Sequence, residues 1–221
     1  MKTEHTQRPL EIDLKGRKEN FENTAPPEIM KSYTEGIEAV KKSNIVKSAL
    51  QVGDTALDFT LPNALGKDVT LYEELKKGPV ILMWYRGGWC PYCNVALHYM
   101  QESLPDFKKY GANLIAVSPE LPDRSISTKE KHELDFEVLS DVDNVVAHQY
   151  KVVYTLTDEV ADIYEGKFVL SSYNGNQKAE LPLAATYVID QNKIIKYAFL
   201  DADYRNRAEP SDLIEILKQL S

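Results

Sequence analysis

The sequence predicts an α/β fold in which helices cover both faces of a central mixed sheet. Apolar runs with strand character, such as 80–85 and 113–118, alternate along the chain with segments of helical period. Near the C-terminus, two adjacent strand patterns over 185–199 predict a hairpin, and 210–220 predicts a closing amphipathic helix. Sheets of this kind usually place their chemistry at the carboxyl ends of their strands.

Length and charge limit the organisation and the partners of the chain. Its 221 residues suit one large domain with an extension, so we divide it into an N-terminal extension with an amphipathic helix over 1–50 and a main domain over 51–221. The formal net charge of -8 argues against nucleic acid as a partner. No apolar run approaches membrane-spanning length, so we expect a cytoplasmic protein without a membrane partner.

The extension contains two different kinds of sequence. Residues 1–26 are polar and show little periodicity, which predicts a loosely held lead-in. From Glu28 to Val40, apolar residues recur at helical spacing and predict an amphipathic helix. Its apolar stripe requires a partner surface, either on the same domain, which we favour, or in a homodimer.

The elements of the main domain follow one another in the alternation that the fold requires. In chain order we first predict a strand hairpin over 53–71, a strand over 80–85 and a helix from Pro91 that bends or ends at Pro105. A strand over 113–118, a helix starting at Ser127, a strand over 136–139 and a helix over 143–150 follow. The chain ends with a helix and loop over 157–180, the hairpin over 185–199 and the closing helix over 210–220.

The chain's two cysteines stand together in Cys90-Pro91-Tyr92-Cys93, directly after the strand 80–85. Two residues separate them, so they cannot link distant parts of a fold, and their pairing is expected to be local and reversible. A strand that delivers such a pair to the start of a helix is typical of thioredoxin-like redox sites, because helix amides and the helix dipole favour a thiolate. Oxidation is therefore expected to give an intramolecular disulfide bond.

Helix phase predicts different roles for the two catalytic cysteines. As the N-cap, Cys90 would accept hydrogen bonds from first-turn amides, and Arg86 would add a stabilising positive charge. Cys93 shares helical phase with Leu97 and is expected to point inward. On this interpretation Cys90 has the lower pKa and attacks, Cys93 resolves, and Trp89 forms a lid beside the sulfurs.

A metal site is the rival interpretation of the cysteine pair. A lone Cys-x-x-Cys supplies only half of a four-ligand site, and none of the four histidines is spaced to complete it locally, although a metal shared across a dimer stays open. We therefore expect no metal and no cofactor. The charged segment 201–207 is interpreted as a structural loop in preference to a wall of the substrate site.

Longer stretches of the chain resemble a known family. Segments 53–62, 85–93, 181–190 and 203–205 are together similar to the peroxiredoxin-like branch of the alkyl hydroperoxide reductase and thiol-specific antioxidant (AhpC/TSA) family. The resemblance extends from about Gln51 to the C-terminus. It implies a thioredoxin fold with peroxiredoxin-type insertions and an antioxidant oxidoreductase. Such an enzyme reduces a hydroperoxide or disulfide substrate with a thioredoxin or glutathione-type thiol donor.

The family pattern assigns the attacking cysteine differently from helix phase. Peroxiredoxins carry Pro, three residues, Thr or Ser, two residues and the peroxidatic Cys, and these positions fall here on Arg86, Cys90 and Cys93. Thr186 is expected to help shape the site, beside Ala184, where the family carries an Arg and thioredoxins a cis-Pro. Because the Pro and Thr of the pattern are absent, a general thiol-disulfide reductase and a non-enzymatic redox sensor remain alternatives.

Overall fold

The computed structural model describes residues 8–220, and a five-stranded mixed sheet forms its centre. The strands are β1 (Thr60–Pro62), β2 (Asp68–Thr70), β3 (Val80–Trp84), β4 (Asn113–Ser118), β5 (Glu137–Ser140), β6 (Val153–Thr155), β7 (Glu180–Pro182), β8 (Thr186–Ile189) and β9 (Ile195–Phe199). The central order is β5-β4-β3-β8-β9. In this sheet β3, β4 and β5 run parallel, whereas β8 is antiparallel to both β3 and β9. The predicted α/β fold with a mixed sheet is confirmed.

Helices cover this sheet and also form the N-terminal extension. They are α1 (Pro9–Thr24), α2 (Pro27–Lys42), α3 (Ile45–Ser48), α4 (Leu71–Leu75), α5 (Pro91–Lys109), α6 (Pro122–Lys131), α7 (Val145–Gln149), α8 (Asp158–Phe168), α9 (Leu170–Asn174) and α10 (Pro210–Leu220). A short 3-10 turn at Val142–Asn144 precedes α7. No helix in the range 8–220 is long and apolar enough to cross a membrane.

Strand β3 is the centre of the molecule, and every one of its residues is buried. Successive side chains of a strand point to opposite faces, so β3 supplies two separate cores. Val80, Leu82 and Trp84 pack in the core that includes residues of α8, whereas Ile81 and Met83 pack in the core against α5 and α10. A strand buried on both faces explains the unbroken apolar run in the sequence.

Helix α1 contradicts the prediction of a loosely held lead-in over residues 1–26, of which 1–7 lie outside the described residues. Leu10 and Leu14 are buried in the core against α5 and α10. The carboxylate of Glu209, just before α10, accepts hydrogen bonds from the main-chain N–H groups of Leu10 and Glu11 at 3.4 and 3.0 Å. Two buried leucines were too few to give a periodic signal, so only the partner surface shows that this helix docks.

Other predicted elements are confirmed with shifted boundaries. The hairpin over 53–71 is the β1–β2 pair, the hairpin over 185–199 is β8–β9, and the amphipathic helix from Glu28 is α2, which contacts α8 of the same chain. Helix α5 continues through Pro105, because buried residues on either side of it keep the helix packed on the sheet. Helix α6 starts at Pro122, five residues before Ser127, with the proline at its first position.

The small β6–β7 sheet was not predicted from the sequence. The two strands pair antiparallel, with Tyr154 opposite Leu181. Each strand has three residues, and the whole of α8 and α9 separates them along the chain. Such long-range pairing of short strands leaves no local pattern to detect.

Candidate active site

A sharp turn connects β3 to α5 and carries the cysteine pair. Gly87 has φ of 146°, and a Cβ there would lie 2.3 Å from the Trp89 indole nitrogen and 2.8 Å from a carboxylate oxygen of Glu120. A Cβ on Gly88 would lie 2.2 Å from the Thr128 hydroxyl. Backbone conformation and close packing therefore both require glycine in this turn.

Both cysteines are free thiols and both are buried, with Cys90 exposed by 1% and Cys93 by 0%. Cys90 is the N-cap of α5, as predicted, but its sulfur makes no capping hydrogen bond. The sulfur of Cys93 instead accepts the Arg86 main-chain N–H at 3.4 Å and the Arg207 Nη2 at 3.1 Å. The first-turn amide donors expected at Cys90 are thus absent from the described contacts of its sulfur, and Cys93 has the closer donors.

These contacts reverse the predicted order of the two pKa values. Burial raises the pKa of the Cys93 thiol, but the hydrogen bond from Cys90 and the charges of Arg207 and Arg86 outweigh burial and hold this pKa well below its usual value. Burial, the hydrogen bond to Cys93 and the charge of that neighbour raise the pKa of Cys90 well above its usual value. The donors around Cys93 therefore favour its thiolate, and this direction is opposite to the prediction that Cys90 has the lower pKa.

Two buried arginines surround the sulfurs without a carboxylate partner. Arg86 is exposed by 1% and Arg207 by 7%, and neither has an acidic side chain within ion-pair distance among residues 8–220. Arg207 also donates to the main-chain oxygens of Tyr204 and Asn206. A buried charge without a counter-ion is costly, so a thiolate between these groups stabilises the site.

Aromatic faces hold the Arg86 guanidinium in place. Its Cζ atom lies 4.0, 5.0 and 5.2 Å from the ring centroids of Tyr204, Trp89 and Tyr164. Its Nη2 donates to the Tyr164 hydroxyl at 2.7 Å, and its Nη1 lies 4.0 Å from the sulfur of Cys90. Cation–π contacts of this kind replace part of the hydration that the buried group has lost.

The remaining residues predicted for the site have different positions. Trp89 is half-buried and stacks on Phe168, with ring centroids 4.5 Å apart, beside the sulfurs. Thr186 is buried in β8 opposite Met83 of β3 and Phe199 of β9. No hydrogen bond within residues 8–220 joins its hydroxyl to either sulfur.

Glu120 forms a hydrogen bond with the turn and was not predicted as a site residue. It is fully buried, and its Oε1 accepts the Gly88 main-chain N–H at 3.0 Å. Its Oε2 has no hydrogen-bond partner among the described residues. Burial raises the pKa of Glu120 to about 7 against the opposing Gly88 hydrogen bond, and the nearby Cys93 charge adds to the increase.

Arg207 is the functional residue that sequence reasoning missed most clearly. The segment 201–207 was expected to be a structural loop, and Asp203 does hold Arg205 there through two side-chain hydrogen bonds of 2.8 Å. Arg207, however, contacts Cys93 across 114 positions of sequence. The one available signal in the sequence was segment 203–205, which resembles the family and ends two residues before Arg207.

The described residues contain no group of three or more His, Cys, Asp and Glu side chains placed to hold a metal ion.

The fold and the dithiol site define a class, the thioredoxin-fold thiol oxidoreductases. A family model described as the AhpC/TSA family matches residues 52–198. The chain belongs to this AhpC/TSA family and is a peroxiredoxin-like, thiol-dependent antioxidant oxidoreductase.

Known proteins similar to this chain agree with that assignment. The chloroplastic peroxiredoxin Q of rice (Oryza sativa subsp. japonica) is 29% identical over 180 residues, which cover 81% of this chain and 70% of the relative. The thiol-disulfide oxidoreductase ResA of Geobacillus kaustophilus is 34% identical over 107 residues, or 48% of this chain and 60% of the relative. The structure of peroxidoxin BcpB from Mycobacterium tuberculosis has a TM-score of 0.62 at 21% identity, with 78% of this chain and 99% of that chain covered, and shows the shared fold.

Proposed function

We propose that this protein reduces hydroperoxides through the Cys90–Cys93 pair, with Cys93 as the attacking thiolate and Cys90 as the resolving thiol. The observation that supports this most is the position of Arg86 and Arg207, two buried guanidinium groups without carboxylate partners, around the sulfurs. They stabilise a thiolate at Cys93, and the thiolate is the nucleophilic form of cysteine. The assignment also agrees with the peroxidatic position in the family pattern.

The first step forms a sulfenic acid. The Cys93 thiolate attacks the terminal oxygen of the hydroperoxide ROOH, an S–O bond forms, and the O–O bond breaks. Sulfur is oxidised, the peroxide is reduced, and the leaving alkoxide takes a proton from the neighbouring Cys90 thiol to give ROH. Negative charge moves from sulfur to oxygen during this step, and fixed guanidinium donors stabilise such a moving charge without reorganisation.

The second step uses the thiolate that this proton transfer leaves on Cys90. Its sulfur attacks the sulfenic sulfur of Cys93, the S–S bond forms, and hydroxide leaves and is protonated to water. Cys90 thus serves first as a proton donor and then as the resolving nucleophile, and its raised pKa keeps the proton available for the first role. An external dithiol then reduces the disulfide by thiol–disulfide exchange.

Burial of the pair disfavours a general protein disulfide reductase. With the sulfurs exposed by only 0% and 1%, a hydroperoxide needs only a narrow approach, whereas a protein disulfide would require the turn to open before the chemical step. After oxidation, a thioredoxin-type donor must reach Cys90 through a local opening of the turn and the start of α5. We place this cycle in a reducing, cytoplasmic setting that supplies such a donor.

Trapping of the sulfenic acid in two single-cysteine variants tests the assignment. Cys90→Ser cannot form the internal disulfide, so hydrogen peroxide followed by dimedone should label Cys93, as shown by mass spectrometry of peptides. Cys93→Ser should consume peroxide at least about a hundredfold more slowly, as expected for loss of an activated nucleophile. A dimedone adduct on Cys90 together with retained peroxide consumption in Cys93→Ser would reverse the two roles.

A further inference from the structure

The turn between β3 and α5 has little of its own to fix its backbone. The hydrogen bonds of the sheet extend to Tyr85, and α5 begins at Pro91. Within the turn, the Cys90 main-chain N–H donates to the Gly87 oxygen at 3.0 Å. Glycine has more backbone freedom than any other residue, so the adjacent Gly87 and Gly88 hold one conformation only if their surroundings impose it.

Side chains from two other parts of the chain bind both polar main-chain groups of Gly88. The Oε1 atom of Glu120 accepts the Gly88 N–H at 3.0 Å, and the Nδ2 atom of Asn94 donates to the Gly88 oxygen at 2.9 Å. Glu120 lies between β4 and α6, whereas Asn94 lies near the start of α5. We call these two side chains the Gly88 clamp, since they tie the turn to the end of β4 and to the helix that carries the cysteines.

The carboxyl of Glu120 has no role in the proposed reaction, although it is completely buried. Its position is fixed by its own main-chain N–H, which donates to the Ser118 hydroxyl at 3.0 Å. Burial of a carboxyl is unfavourable unless its oxygens have partners, and Oε2 has none among the described residues. An apolar side chain would avoid this cost but could not accept the Gly88 N–H.

The clamp acts on Cys93 through Arg86, the residue that precedes the two glycines. The main-chain N–H of Arg86 donates to the Cys93 sulfur at 3.4 Å. The chain is held on both sides of the turn, so a changed conformation at the glycines must be taken up by neighbouring torsion angles, including those of Arg86. Loss of this donor would disfavour the thiolate, because a hydrogen bond to the charged form of a group stabilises that form.

We infer that Glu120 and Asn94 are positioning residues of the redox site, because together they fix both polar groups of Gly88. The fixed turn then keeps the Arg86 N–H against the Cys93 sulfur. The inference rests on the proposed role of Cys93 as the attacking thiolate, and it names the side chains that hold the surroundings of that thiolate in place.

The test replaces each member of the clamp in the full chain. Glu120→Met puts an apolar group of similar length in place of the carboxyl, and Asn94→Ala removes the donor at a partly exposed helix position where alanine is well tolerated. The Cys93 thiolate is followed by its ultraviolet absorbance in a Cys90→Ser background, in which one sulfur remains. Both variants should raise the pH midpoint of thiolate formation by about one unit, and below the midpoint sulfenic acid formation with hydrogen peroxide should slow about tenfold.

Glu120→Gln is the rescue variant, because its amide oxygen can still accept the Gly88 N–H. Burial raises the pKa of Glu120 to about 7, so glutamine imitates the neutral form that is present below this pH. The charged and titratable groups around the carboxyl, Arg124 of α6, Cys93 of α5 and Tyr85 after β3, are the same in each variant. The midpoint of Glu120→Gln should therefore lie at or below that of the wild type, and a midpoint raised as far as in Glu120→Met would overturn the inference.

Ser140→Ala is the matched control for the loss of a buried polar contact. The Ser140 hydroxyl of β5 lies 2.8 Å from the Ser125 hydroxyl, and neither has a described hydrogen bond to the turn. Its midpoint should equal that of the wild type. Wild-type midpoints in both Glu120→Met and Asn94→Ala overturn the inference, as does a shift in Ser140→Ala as large as theirs. Failure of the wild type to form sulfenic acid at Cys93 would instead refute the proposed function, and the thiolate midpoints would still decide the role of the clamp.

Discussion

Replacement of Arg207 by glutamine is the sharpest test of the electrostatics of the site. The substitution removes the guanidinium whose Nη2 lies 3.1 Å from the sulfur of Cys93. It retains an amide that can still donate to nearby main-chain oxygens. The other two influences that lower the pKa of Cys93, the hydrogen bond from Cys90 and the contacts of Arg86, remain in place.

The expected magnitude follows from the distance. Two unit charges 3.1 Å apart attract one another by about 5 kcal/mol at an effective dielectric of about 20, which is an upper limit because water and side chains rearrange in the variant. Each 1.4 kcal/mol changes the thiolate fraction about tenfold while the thiol form dominates. We therefore expect sulfenic acid formation at neutral pH to slow by about ten- to a hundredfold, with the pH profile of the reaction moved to higher pH.

The assay is the rate of reaction with hydrogen peroxide as a function of pH, together with the ultraviolet absorbance of the thiolate, which requires no access by a reagent. Arg207→Lys keeps the charge and should restore part of the rate at neutral pH. Arg205→Gln removes a charge from the same segment, but that charge is held by Asp203 and Glu22, so its profile should match the wild type. A pH profile for Arg207→Gln that coincides with that of the wild type would refute the assignment of Arg207 as the principal counter-charge.

Three further outcomes are expected. The stability of Glu120→Gln relative to the wild type should be greater at pH 8 than at pH 5 by about 2 to 3 kcal/mol in urea unfolding; a pH-independent difference would contradict this. The folded protein holds the pKa of Glu120 at about 7, above its usual value. The neutral carboxyl therefore contributes to the stability of the wild type at low pH, and this contribution is lost as pH rises through 7, whereas glutamine does not titrate. Gly87→Ala should destabilise the protein by about 1 to 3 kcal/mol, whereas Gly16→Ala, with open space around it in α1, should not. Peroxide treatment should give a monomer lighter by two hydrogens, with Cys90 joined to Cys93; an exclusively intermolecular disulfide would rule out the local dithiol cycle.

Much of the fold was readable from local sequence because its signals are short-range. The run 80–85 predicted the central strand, 113–118 matched β4, and Pro91 marked the start of α5. Each of these signals depends only on residues within one element. Helix α1 is stabilised by contacts with α5, α10 and Glu209, which are distant in sequence. Its local sequence carried no signal of these contacts, so the prediction of a loosely held segment was wrong.

The position of the cysteine pair and the prediction of dithiol chemistry also come from the sequence itself. Two cysteines at this spacing, after a buried strand and two glycines, predict a redox dithiol at a helix start, and the family pattern named Cys93 as the peroxidatic position. Gly87 and Gly88 are required because the turn passes close to Trp89 and other side chains. The strand, the glycines and the cysteines all lie within residues 80–93.

The surroundings on which we base the proposal of a thiolate at Cys93 were visible only in the tertiary structure. The helix dipole acts on both cysteines, since both lie within the first turn of α5, and it does not separate them. What separates them is Arg207, brought from 114 positions away to 3.1 Å from Cys93, together with the main-chain N–H of Arg86. Coulomb energy depends on distance in space and not on distance in sequence, so the positive charge beside Cys93 had no local signature.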